Sequence, residues 1–282
     1  MTQRLKAFVL CVALIGALAA TVSGFERVGA IFDLGASARG LGLGGAYSAL
    51  VDDEGATLRN PAALGWYEGV GLSSLVVEQF GGVLYARVGI TAPWFGVDVV
   101  ALDSGPIPGD AGTFRYASQG AVASVGVPIG PLGIGLRWRL LRTSGPTSGS
   151  GWSIDPALLL VADPVRASLV VEGAFSQPIA YESGAAESWP LMLRLGAALT
   201  LSPSDAVQWN LAFEADGLFG DLPRFGVGLE AWIADLGARV GYDGRGATFG
   251  LSIRLAGLQI DWAYAVRDDL GDSHRVSVAF RF

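Results

Sequence analysis

The chain has 282 residues, 51% hydrophobic and 16% charged, with a formal net charge of −7. One Cys and one His exclude a disulfide scaffold, a Cys/His zinc site and most His-dependent mechanisms, and the acidic balance gives nucleic acid no basic footprint. Mean hydropathy is +0.45, yet no internal run reaches the ~18–20 apolar residues of a spanning helix, which points to a transmembrane β-barrel, where apolar and polar residues alternate.

Residues 1–20 read as a signal peptide: Arg4 and Lys6 are its basic start, Ala7 to Ala20 its apolar core, and Ala17-Leu18-Ala19 a small-x-small cleavage site. Cleavage removes Cys11, which suits an oxidising envelope compartment. It also leaves 17 basic residues against 26 acidic ones.

Residues 25–66 do not read as a membrane strand pair. The run Gly40-Leu41-Gly42-Leu43-Gly44-Gly45 has the letters of a dinucleotide loop, but no βαβ unit surrounds it. Glycines there suit close backbone packing inside a narrow lumen. Asp52-Asp53-Glu54 lacks the ligand spacing of a calcium loop and reads as a solvated or Arg-paired turn. Asn60-Pro61-Ala62 reads as the turn that launches the first strand.

From residue 67 a period of two predicts strands near 67–78, 82–91, 94–103, 113–127, 131–142, 151–162, 165–177, 189–201, 206–217, 223–233, 235–243, 247–255, 257–267 and 274–282. Fourteen is an even number, as bacterial barrels require. Short connections such as Ala92-Pro93, Gly130 and Ala256 alternate with longer ones at Ser104–Gly112, Thr143–Ser150, Pro178–Ser188 and Asp268–Ser273. Outer-membrane barrels have short periplasmic turns and long extracellular loops, so this phasing places Phe282 and the segment before the barrel on the periplasmic side.

One face of each strand is apolar. The other is mostly Gly, Ala and Ser with scattered charges, and Lys6 is the only Lys in the chain, unlike the Lys- and Glu-rich exterior of a soluble sandwich. The apolar face is therefore expected to meet lipid, with Trp66, Trp94, Trp152 and Trp189 in an interfacial aromatic girdle. The polar face then lines the lumen. It carries Arg137, Arg139, Arg194, Arg239, Arg254 and Arg275 with Glu172, Glu214, Glu230 and Asp261. Buried charges are costly unless paired, so these residues are expected to form a ladder of ion pairs rather than catalytic carboxylates. Gly271-Asp272-Ser273-His274 contains hydrolase letters but sits in the penultimate loop, without a strand-to-helix turn. No enzyme and no metal or other cofactor is expected.

The run Phe32-Asp33-Leu34-Gly35-Ala36-Ser37-Ala38-Arg39-Gly40-Leu41-Gly42-Leu43-Gly44-Gly45-Ala46, with Asp52-Asp53 and Asn60-Pro61-Ala62, resembles the entry of PorV/PorQ-family outer-membrane proteins, part of the FadL-like superfamily. Asp261-Trp262-Ala263-Tyr264 and Leu270-Gly271-Asp272-Ser273-His274-Arg275-Val276-Ser277 resemble that family's last hairpin. The resemblance implies an all-β, fourteen-stranded antiparallel barrel with its N-terminal segment folded into the lumen. It divides the chain into a signal peptide (1–20), a hatch (21–66) and the barrel (67–282). It also implies either passive transport of small hydrophobic or amphipathic molecules across the outer membrane, or a secretion shuttle or envelope scaffold. Gly42, Gly44, Gly45, Asn60 and Pro61 are the expected hatch and ligand residues, and Phe280 and Phe282 the expected assembly signal. The expected partners are outer-membrane lipid, the barrel-assembly machinery, and a small hydrophobic ligand or secreted proteins.

Overall fold

A computed structural model describes residues 28–79, 83–109, 112–219, 223–267 and 272–282. The signal peptide lies outside the described residues, as does Gly271. Alternating side chains become strand from Gly71 onward. The first six strands are β1 Gly71–Gln79, β2 Val83–Ala92, β3 Phe95–Gly109, β4 Gly112–Ile129, β5 Leu132–Ser144 and β6 Gly149–Ala162. Then come β7 Val165–Glu172, β8 Phe175–Tyr181, the two-residue β9 Ala186–Glu187, β10 Met192–Ser204 and β11 Val207–Leu218. The wall ends with β12 Arg224–Ile233, β13 Leu236–Tyr242, β14 Ala247–Leu255, β15 Leu258–Ala265 and β16 Ser273–Arg281.

Every pairing is antiparallel, most of them between chain neighbours; β10 pairs with β7 and β6 also with β8, and β1 pairs with β16 from Gly71↔Arg281 to Val77↔Arg275, which closes the sheet. β7 and β8 are the two halves of one wall strand, because both pair with β6. Fourteen strands thus cross the wall. Their faces divide as the period requires. On β5, Gly133, Gly135, Arg137, Arg139, Leu141 and Thr143 are buried, while Ile134, Leu136, Trp138 and Leu140 are exposed. An apolar belt therefore faces outward, as in a barrel that meets lipid.

The seventh strand is broken by its own chemistry. Pro156 on β6 brings no N–H to the ladder. In the facing strand Gly173 takes a left-handed backbone at φ 70, and that strand has two residues more than β6 between the registers Ala157↔Val170 and Ile154↔Phe175. The Asp155 carboxylate accepts the Gly173 N–H at 2.8 Å.

Other expectations need correction. Ser104–Gly112 is largely strand, since β3 runs to Gly109 with one register shift between Asp103 and Pro106. The strand expected from 189 starts at Met192, because Trp189 turns into the lumen. There it stacks on Phe32 with centroids 6.3 Å apart and lies 4.9 Å from the Arg139 guanidinium, so it is no part of a lipid-facing girdle. Trp66 covers the inner face at Gly133, at the short-turn end of the lumen. Trp94 and Trp152 stay on the outer surface, the latter donating to Gln177 at 2.6 Å.

Residues 28–66 lie inside the barrel. A 3-10 turn (Ala30–Asp33), helix α1 (Ala38–Gly42), helix α2 (Ala56–Arg59) and a second 3-10 turn (Pro61–Trp66) follow one another down the lumen. Two apolar clusters hold them. Ile31, Phe32, Ala36 and Leu58 pack with Leu75, Tyr85, Val100, Val122 and Trp189. Leu43, Tyr47, Leu50, Val51 and Leu64 pack with Ala157, Leu159, Val170, Ala198 and Ala212. Small wall residues make room for the plug.

Candidate functional site

The plug is also held by charge. Glu230 on β12 receives Arg39 of α1 through two parallel bonds, Nε at 2.8 Å and Nη2 at 2.7 Å. The same carboxylate takes Asn210 at 2.7 Å and pairs with Arg239, which also reaches Asp261 at 3.5 Å. A forked guanidinium on a carboxylate fixes orientation as well as distance. Arg39 further binds Asp53 at 3.1 Å and the half-exposed Asp52 at 2.5 Å, so the acidic triplet is Arg-paired. Burial alone would raise the Asp53 carboxyl, but Arg39 and the Gly55 N–H at 2.8 Å outweigh it and hold it below the ordinary range. Glu54, the third acid, meets Arg281 at 3.1 Å and accepts the Tyr67 hydroxyl at 2.8 Å.

A second layer crosses the lumen at mid-height. Arg137 pairs with Asp155 at 2.8 Å and Glu172 at 2.9 Å, and Arg139 pairs with Asp155 at 2.7 Å. Arg194 joins Glu172 at 2.9 Å to Asp216 at 3.1 Å. Glu214 pairs with Arg59 of the plug and accepts the Tyr47 and Ser48 N–H groups at 3.0 and 2.7 Å. A third clamp, Arg87 with Asp98 at 2.7 Å, donates to the plug carbonyls of Ala36 and Glu54.

Eight of the ten expected ladder residues thus sit in ion pairs, and two have none among the described residues. Arg254 stands at the short-turn mouth, 3.7 Å above the Trp232 ring, and donates to Gln259 at 2.8 Å. Arg275 lies higher and donates to the Leu34 carbonyl. Both positions have inward parity, and parity alone does not say how high in the lumen a residue sits.

The expected hatch residues are all in the plug. Gly42 packs on the Gly250 backbone, and Gly44 has φ 64 with its Cβ position 2.5 Å from the Tyr242 carbonyl, so a side chain has neither the conformation nor the space. A Cβ at Gly45 would meet nothing within 4 Å, but its φ of 81 disfavours a side chain, and it lines a cavity. Asn60 caps the second 3-10 turn, accepting from Ala62 and donating to the Ser48 carbonyl at 2.9 Å, with Pro61 in its first position. Phe280 and Phe282 stack edge-on at 4.9 Å on the outer face.

Sequence reading missed Arg39, Arg59, Arg87, Asp98, Asp155 and Asp216. Arg87 and Asp98 were findable, because each has the inward parity of its strand. Arg39 and Arg59 sit in the plug, where no period marks a face.

A cavity of about 310 Å³ remains between the plug and the long-loop end of β11–β16. Its lining includes Leu34, Leu41 and Phe225, with Asp243 and Arg267 from the wall. The long-loop end is the extracellular one by the barrel rule.

In backbone trace the chain is similar to solved outer-membrane channels. A Pseudomonas aeruginosa FadL homologue superposes with TM-score 0.56 at 11% identity, over 87% of this chain and 98% of that one. The fold is that of FadL-type outer-membrane barrels. The CymD monoaromatic hydrocarbon channel gives 0.62 at 12% identity, covering 88% and 98%, and the Pseudomonas putida toluene transporter TodX 0.60 at 13%, covering 92% and 98%. CymD is a channel and TodX a transporter. No protein-family model and no curated protein matches the sequence.

Proposed function

We propose that the protein is a plugged outer-membrane channel for passive uptake of small hydrophobic or amphipathic molecules, exported by its N-terminal signal peptide. The observation that supports this most is the lumen. A closed barrel is filled by residues 28–66, and the space left over is a cavity held against the plug at the extracellular end. An open pore for ions needs no such seal, and a passive scaffold needs no cavity. CymD, a monoaromatic hydrocarbon channel, and TodX, a toluene transporter, share this fold and support the hydrophobic-solute reading. The PorV/PorQ-like run Phe32–Ala46 is the stretch that lines the cavity and carries Arg39, so the entry motif and the site coincide.

Purified protein in planar bilayers is expected to conduct ions poorly, and in liposomes to take up a labelled fatty acid or small aromatic with saturation. Deleting residues 30–60 should raise conductance and abolish saturation, since irregular backbone at membrane depth must be surrounded by protein or water. Absence of saturable uptake across both compound classes would favour a secretion shuttle or envelope scaffold instead.

A further inference from the structure

The cavity holds an imbalance. Its acids are engaged: Glu214 and Asp216 by Arg59 and Arg194, and Asp243 by Arg267. Asp272 accepts the Tyr264 hydroxyl and the Arg267 N–H at 3.2 Å. Among its cations, Arg275 has no carboxylate within ion-pair distance among the described residues. One nitrogen donates to the Leu34 carbonyl, and Nε is buried with no hydrogen-bond partner. Gly35 leaves the space this guanidinium occupies, since a Cβ there would stand 2.6 Å from Nη1. Arg275 is part-buried with its Nε shielded from water, and a guanidinium partly withdrawn from water with a backbone carbonyl as acceptor lacks, among the described residues, the counter-charge that makes burial tolerable. Its forked donors match a carboxylate.

We infer that this cleft binds a compact amphipathic carboxylate, an aromatic or short aliphatic acid. Its carboxylate rests on Arg275 and its apolar body against Leu34, Leu41 and Phe225. Size sets the class. About 310 Å³ is at the small end of ligand pockets, and the plug backbone at Gly40 to Gly45 forms one side of it. A neutral hydrocarbon would fill the space but offer no acceptor to the shielded Nε of Arg275. Arg245, on the same cavity and exposed at its mouth, supplies positive charge for steering. The inference names a substrate for the uptake reading and rests on it for the route, though not for binding.

The test is equilibrium binding of labelled benzoate and labelled toluene to the full-length mature protein in detergent, with Arg275→Gln and Arg275→Lys, each checked for a heat-modifiable folded band. Expected is benzoate binding at least tenfold tighter than toluene and weakened by salt. Arg275→Gln should weaken benzoate at least tenfold and leave toluene unchanged, and Arg275→Lys should recover part of the loss. Equal affinity of the folded Arg275→Gln variant for benzoate, or equal wild-type affinity for toluene and benzoate, would overturn the inference. Displacement of benzoate by inorganic sulfate at equal concentration would overturn the amphipathic assignment. Arg275-dependent benzoate binding without any saturable uptake would sink the transport reading alone, and saturable toluene uptake without benzoate binding would sink this inference alone.

Discussion

Glu230 shows how much of the plug's seat depends on single atoms. Its two oxygens serve Arg39, Arg239 and Asn210, and it is fully buried. Glu230→Gln would leave two guanidiniums facing a neutral amide, so a loss of about 3–5 kcal/mol is expected in urea unfolding. Asp53 adds a pH dependence. Its folded pKa is depressed by Arg39 and the Gly55 N–H against the effect of burial. Its stabilisation is therefore complete above the unfolded value of about 3.9 and lost as pH falls through the folded value. Hydrogen exchange over residues 38–60, corrected for intrinsic rate, should accelerate below about pH 4, and Asp53→Asn should show faster exchange already at pH 7. Glu230 and Arg239 were legible as inward charges from strand parity. Their third partner was not, because Arg39 sits on a five-residue helix with glycine on either side of Leu41.

Among the elements, strand faces were the most legible feature and strand ends the least. The alternation on β14 puts Gly250 and Ser252 inside and Phe249 and Leu251 outside, as the sequence alone suggests. The same alternation extends inward parity to Arg254, although the lumen there has already opened to the mouth. The two positions give opposite expectations. Leu251→Arg buries a charge in lipid and should impair insertion by roughly 2–4 kcal/mol near the midplane. Arg254→Glu loses a stack on Trp232 and a bond to Gln259, but breaks no ion pair among the described residues, so folding yield should change little. Heat-modifiable band intensity after folding into vesicles measures both, and the reverse result would mean the face assignment is inverted. The break between β7 and β8 shows why ends resist prediction. The interruption falls between the registers Ala157↔Val170 and Ile154↔Phe175, where β6 carries Pro156 and the partner strand carries Gly173 with a left-handed backbone, a mismatch visible only once the register is known.

At the scale of the whole molecule, barrel and plug are one closed object with a seam between them, and transport on the proposed route requires the seam to open. The Ser48 and Ser168 hydroxyls face each other across it at 2.8 Å, both fully or nearly fully buried, one on the plug and one on β7. Cys11 is the only Cys in the sequence and lies within the expected signal peptide, so the mature chain would bring no competing thiol. Ser48→Cys with Ser168→Cys should therefore form a disulfide on mild oxidation, since the two Oγ atoms already stand 2.8 Å apart and sulfurs in their place need approach only to about 2 Å. The oxidised protein is expected to keep the low ion conductance of wild type, because the seal is unchanged, and to lose saturable uptake, because the plug is tied to the wall beside the Glu214 anchor. Reduction should restore uptake, with each single-Cys variant unaffected by oxidant. Undiminished uptake by the oxidised form, with the cross-link verified by mass, would show that the solute passes without moving this part of the plug and would shift the moving element to residues 28–45, on the other side of the cavity.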